Sequence, residues 1–272
     1  MIKRINKYSI AFIFITIICF GQKMSFVYEV KYRLNDEMPD KFSKSKMVLD
    51  FSDSNSIFRE NIDKKSDSLK LRNGIPMTNS GFENQFYIKK NLTDNIISKI
   101  ITNGQFCYAL SIEEILKWKI LSENKNIGVY NCQKAVVAYG GRDWIAWFTD
   151  EIPINDGPYI FRGLPGLIVS IADSKGDYNF DLVQVKKSSN LFDSRTKVIN
   201  IDWNKYEQLA KDYYQNPNAE IEQKIRNAKK VIMQDANGNV IDFDLRQMNK
   251  DRQEQIRNNN NPIELNRKID YK

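Results

Sequence analysis

Four carboxylates, Asp143, Asp150, Glu151 and Asp156, fall in one short stretch of the chain together with Trp144 and Trp147. Two carboxyl groups beside an indole are the equipment of glycoside hydrolysis, one as acid and the other as base or nucleophile, with the sugar stacked on the ring. The competing reading is structural: charges at strand ends are solvated, and aromatics on alternating positions build a core. Arg142 directly follows Gly140-Gly141. Its planar fork suits a ligand carboxylate or phosphate, and equally a clamp on loop carbonyls and on Asp156, which is the role favoured here.

Other chemistry is removed by composition. The chain of 272 residues has no histidine, so nucleophiles activated by imidazole and zinc or copper sites built on it are excluded. Cys107 and Cys132 cannot close a thiolate zinc site. They are a possible disulfide if their Cα atoms come within about 7 Å, and the alternative, two buried thiols, is preferred. Asp235 to Asn239 has the look of a calcium loop but lacks the alternating ligands and distal glutamate of an EF-hand, and it reads as a plain turn. No metal or cofactor is expected.

The elements that must position these residues are mainly β. Phe26, Tyr28, Val30, Tyr32 and Leu34 alternate with polar residues, and Met47, Leu49 and Phe51 repeat the period, as in strands with one buried face. Glu60 to Gly81 reads as polar loop. Ile97 to Leu110 forms a hairpin about Asn103-Gly104, a pair suited to a type I′ turn, and Leu116, Trp118 and Ile120 mark another strand. A second hairpin joins Cys132–Tyr139 to Arg142–Thr149 through Gly140-Gly141, with Trp144, Ala146 and Phe148 on one face and Ile145 and Trp147 on the other. A third joins Leu167–Ile171 to Tyr178–Val185. Beyond Asn200 the pattern turns helical: Asn204 to Glu207 has capping-box spacing, Pro217 ends that helix, and Ala219 to Met233 is a second, amphipathic one. Gln247 to Asn260 reads as loosely held, and the apolar pair in Asn261-Pro262-Ile263-Glu264-Leu265 suggests docking onto the sheet.

The stretch Gly163-Leu164-Pro165-Gly166-Leu167-Ile168, preceded by Ile152-Pro153 and Gly157-Pro158-Tyr159, resembles the signature of the GLPGLI family of secreted bacterial proteins. The resemblance is specific from about Tyr130 to Lys187, implies export, and brings no assigned reaction. It also makes Cys132 and the arginine beside the tryptophan familiar positions. Physically, Pro165-Gly166 suits a type II turn feeding a buried strand, so the motif reads as structural. A phosphate cradle would lead into a helix instead.

At the N-terminus Lys3, Arg4 and Lys7 precede an uncharged run from Tyr8 to Phe20, the layout of an export signal over residues 1–21. A retained anchor is the alternative, although the run is short of the roughly 20 residues a span needs. Ile18 before Cys19 argues against a lipoprotein. Losing Lys3, Arg4 and Lys7 takes the net charge from +7 to +4, without the basic footprint of a nucleic-acid binder. The expectation is an exported protein, periplasmic or outer-membrane-associated: an antiparallel β domain over 22–200, built as a curved sheet or half-barrel, and a helical, partly flexible extension over 201–272 packing on it. A β-sandwich is the alternative fold. Two functions remain open. One is a non-enzymatic protein binding an apolar or peptide ligand, or an outer-membrane transport component, with no stable transmembrane helix; the other is a carboxylate-based hydrolase.

Overall fold

The computed structural model describes residues 23–71, 81–187, 191, 193–227, 233–234, 240–241 and 244–271. The segment expected to be an export signal, with Cys19, and the turn expected over Asp235–Asn239 lie outside them. The first strands are β1 (Met24–Arg33), β2 (Phe42–Ser52) and β3 (Asn55–Glu60), followed by helix α1 (Asn61–Leu71). Then come β4 (Ile88–Asn91), β5 (Ile96–Asn103), β6 (Phe106–Ser111), β7 (Lys119–Ile127), β8 (Tyr130–Tyr139), β9 (Arg142–Thr149), β10 (Leu167–Asp173), β11 (Tyr178–Lys187) and β12 (Ile199–Ile201). Helices α2 (Trp203–Gln215) and α3 (Ala219–Asn227), the short pair β13 (Met233–Gln234) and β14 (Val240–Ile241), and helix α4 (Leu245–Asn258) complete the order.

Strands β1 to β12 form one sheet in the order β12-β6-β5-β4-β3-β2-β1-β11-β10-β9-β8-β7, so the fold is the curved antiparallel sheet and the sandwich alternative is set aside. Every pairing is antiparallel except that of β12 with β6. Its curvature follows from the chain itself. Laid flat, the ten spacings from β6 to β7 would cover about 48 Å at ~4.8 Å each. The eight Cα steps from Ser111 to Lys119 reach at most about 29 Å. The sheet must therefore curl until its two ends face each other across a seam, which the Ile112–Trp118 strap bridges.

The inner face carries the main core. Phe26, Tyr28 and Val30 on β1, Met47 and Leu49 on β2, Trp144 and Ala146 on β9 and Phe180 on β11 are fully buried, as period-2 alternation dictates. This face is not an empty concavity. The β9–β10 loop lays Tyr159, Ile160, Phe161 and Leu164 into it, and the segment after α4 adds Ile263 and Ile269. The docking expected of that segment is thus part of the core.

The remaining expectations divide. The Gly140-Gly141 hairpin and the β10–β11 hairpin are present. The turn between β5 and β6 is displaced by one residue: Asn103 pairs with Phe106, and Gly104 takes the positive φ of +56° while Asn103 stays in the strand. Leu116 and Trp118 lie in the strap, ahead of β7. The loop expected over Glu60–Gly81 contains α1, and the loosely held Gln247–Asn260 is largely α4. Both were hidden for one reason: α1 buries Asp63, Ser66 and Asp67 while exposing Ile62 and Leu69, and α4 buries Ile256 alone, so neither shows an apolar stripe. Asp202 and not Asn204 caps α2, its side chain accepting from the Lys205 N–H at 2.7 Å. The described part of the second helix ends at Asn227.

Candidate functional site

The four candidate carboxylates do not converge. Asp143 and Asp150 lie at opposite ends of β9, about 23 Å apart along a strand, far beyond the ~5 to 9.5 Å of a glycosidase pair. Both are exposed. Glu151 accepts from the Asn131 N–H at 2.8 Å. Asp156 is fully buried and ion-paired with Lys90, whose ammonium also donates to the Gly157 carbonyl. Burial pulls the Lys90 pKa down against the pull of Asp156.

Trp144 is entirely in the core, donating its indole N–H to the Tyr139 carbonyl at 3.1 Å. Trp147 faces outward, half-buried, with the Lys125 ammonium 4.1 Å from its ring centroid. Arg142 is a clamp with different partners from those expected. It donates to Asp173 at 2.9 Å, Asp177 at 2.8 Å, the Asn261 side-chain oxygen at 2.7 Å and the carbonyls of Pro262 and Ile263, and it does not meet Asp156. Every arm of the guanidinium is thus used to fasten the C-terminal segment to the β10–β11 turn.

Cys107 and Cys132 are free thiols on β6 and β8, so the possible disulfide is not formed. These strands stand near opposite ends of the sheet. Burial pushes the Cys132 thiol up to about 11.

In the motif the Pro165-Gly166 turn is not a closed type II turn. The Gly166 N–H returns to the Leu164 carbonyl at 2.8 Å, and the Leu167 N–H reaches Ile152 instead, at 3.1 Å. Gly166 has φ +153°, and a Cβ there would lie 2.0 Å from the Thr149 carbonyl oxygen. Glycine is required by this close backbone approach. Gly163, at φ +91°, faces open space. Leu164, Leu167 and Ile168 are buried and Pro165 is exposed.

Beneath this loop is a cluster that no sequence motif signalled. Glu264 is buried and accepts from Lys99 at 3.1 Å, Tyr139 at 2.8 Å and Tyr159 at 2.6 Å. Burial raises its pKa, but Lys99 and the two hydroxyls outweigh that and hold it below the usual glutamate value. Tyr159 keeps φ +52°, a costly conformation for a bulky residue. Lys99, Tyr159 and Glu264 help line a cavity of about 50 Å³ shared with Phe86, Trp203 and Tyr206, room for a few waters at most.

Two recesses lie at the seam. A cleft of about 520 Å³ is lined by Ser111, Glu113, Glu114, Asn200, Trp203 and Arg267. Trp203 and Arg267 also border the inner cavity, the guanidinium 5.4 Å from the indole centroid. On the other side of Glu113 and Glu114 a pocket of about 230 Å³ is lined by Ile97, Ile112, Ile115, Leu116, Arg162 and Gly163. Burial and the proximity of Glu264 raise the Glu114 pKa, and Arg267 opposes this.

Residues 141–170 match the model of a family described as "Protein of unknown function (Porph_ging)". No curated protein sequence matches the chain. Among solved structures the chain is similar to "Structure of PNGF-II in P21 space group", with 18% identity, a TM-score of 0.52, and coverage of 70% of this chain and 33% of that one. The same protein in a C2 crystal form gives 18% identity, a TM-score of 0.51, and coverage of 70% and 32%. The likeness is one of fold, and this chain spans about a third of the length of PNGF-II. No helix among the described residues is long and apolar enough to cross a membrane.

Proposed function

We propose that this is an exported, envelope-associated protein of the GLPGLI type that binds a ligand or partner without transforming it, and that it does so at the seam of the curled sheet. The observation that carries this reading is the pair of recesses flanking Glu113 and Glu114, the larger about 520 Å³. They combine apolar walls, an indole and a few charged groups, which is the composition of binding pockets. The inner face, a natural place for apolar cargo in a half-barrel, is filled by the chain's own β9–β10 loop and C-terminal segment. Binding is therefore assigned to the rim. The separation of Asp143 from Asp150 and the pairing of Asp156 with Lys90 count against the hydrolase alternative.

The test is capture of tagged protein from its native envelope, with mass spectrometry of what copurifies. A component retained by the wild type and lost from both Ile115→Glu and Trp203→Ala, each with an unchanged melting temperature, supports the reading. Identical captures from all three proteins would remove the seam from it. N-terminal sequencing of the fractionated mature protein should begin near Gln22 if the chain is exported and processed.

A further inference from the structure

The pocket under the strap contains a cation that forms no ion pair among the described residues. Arg162 immediately precedes Gly163-Leu164-Pro165-Gly166 and is half-buried. Its backbone is pinned, since its carbonyl accepts the Trp118 indole N–H at 2.8 Å and the next residue's N–H donates to Asn155 at 3.2 Å. Among the described residues its guanidinium has no hydrogen bond or ion pair. The carboxylate that acts on it through space, Asp156, is committed to Lys90. A half-buried guanidinium with no protein partner among the described residues is open to a ligand, and its fork matches a carboxylate bidentately.

The walls narrow the choice of ligand. Ile97, Ile112 and Leu116 offer an apolar lining, and Ile115, at 77% exposure, stands at the mouth. Glu113 and Glu114 on the rim disfavour a second negative charge and offer acceptors to N–H groups. A volume of about 230 Å³ falls below the ~300 Å³ at which drug-sized sites begin, and suits a single residue.

We propose that Arg162 anchors the free carboxylate of a peptide's C-terminal residue, whose apolar side chain enters the pocket while its N–H faces Glu113 and Glu114. This rests on reading the seam as the binding face and assigns its ligand class. The probe is N-acetyl-Ala-Ala-Leu, titrated into the full mature chain to about 10 mM, a range that captures affinities weaker than millimolar. The readout is the Trp118 indole N–H resonance, assigned with Trp118→Phe. The acid should give a saturable shift. Affinity should fall by about tenfold or more for the C-terminal amide and for Arg162→Gln, with the melting temperature of the variant unchanged.

Equal binding of acid and amide, equal binding by Arg162→Gln, or no saturable shift would overturn the proposal. Hexanoate binding as tightly as the peptide would overturn the peptide assignment, because it offers carboxylate and apolar chain without N–H groups. If the peptide fails while Ile115→Glu and Trp203→Ala still abolish envelope capture, the ligand class falls and the seam stands. If capture is indifferent to both substitutions, the seam reading itself falls.

Discussion

At the scale of residues, the polar groups that matter structurally are those committed to several partners at once. Glu264 illustrates the consequence for pH. Its folded pKa is below that of an ordinary glutamate, so its contribution to stability is complete above about pH 5 and is lost as pH falls through the folded value. Replacing it with Gln leaves the Lys99 ammonium buried without a counter-charge, which at pH 7 should cost about 3 to 5 kcal/mol. The gap between wild type and Glu264→Gln in urea denaturation should narrow on acidification toward pH 3. A gap independent of pH would remove Glu264 from this role. None of this was legible from the sequence, because Glu264 lies in a short segment after α4 and Lys99 on β5, and nothing local joins them. Arg142 was legible as a clamp from its place after two glycines, but its partners were not, since Asp173, Asp177 and Asn261 come from distant parts of the chain.

Elements tell the opposite story. The strands β1, β2 and β9 were readable because apolar alternation survives wherever the inner face is apolar; β9 reads as covered on both faces, and its outer Ile145 and Trp147 are half-buried. The helices α1 and α4 were not, because what they bury is polar or a single isoleucine. On the outer face α1 contributes Asp63 and Asp67 to a buried network in which Arg59 donates to Asp67 at 2.9 Å and to Asp50 at 3.1 Å, while Arg195 pairs with Asp63 and Asp67. Such an arrangement is invisible to any count of apolar residues. The GLPGLI stretch was legible as a constrained connection, and the structure relocates the constraint from turn type to close packing on Thr149. Gly166→Val should accordingly cost more than about 4 kcal/mol, since the obstacle is backbone. Gly163→Ala, strained but unobstructed, should cost about 1 kcal/mol. Soluble yield and urea midpoints of the two variants measure the difference, and equal losses would contradict it.

At the scale of the whole molecule, the sheet is completed from within by pieces of its own chain. Ending the chain after Asn258 would remove Ile263 and Ile269 from the core, deprive Arg142 of Asn261 and two carbonyls, and leave Lys99 without Glu264. We expect the truncated protein to lose cooperative unfolding and bind hydrophobic dyes, whereas two-state unfolding close to that of the full chain would show the tail to be accessory.

In the two wings of the sheet, β2 to β6 and β7 to β11, strands consecutive in the chain are neighbours, and β1 alone joins the wings by pairing with β2 on one side and β11 on the other. Each wing can zip from local contacts, but the join must wait for two segments from opposite ends of the sheet-forming sequence to find each other. Until then β1 and β11 are both raw edges, open to the wrong neighbour. The central strand of the finished sheet is thus the last to be secured, and the step most exposed to chaperone control or misassembly lies in the middle of the fold.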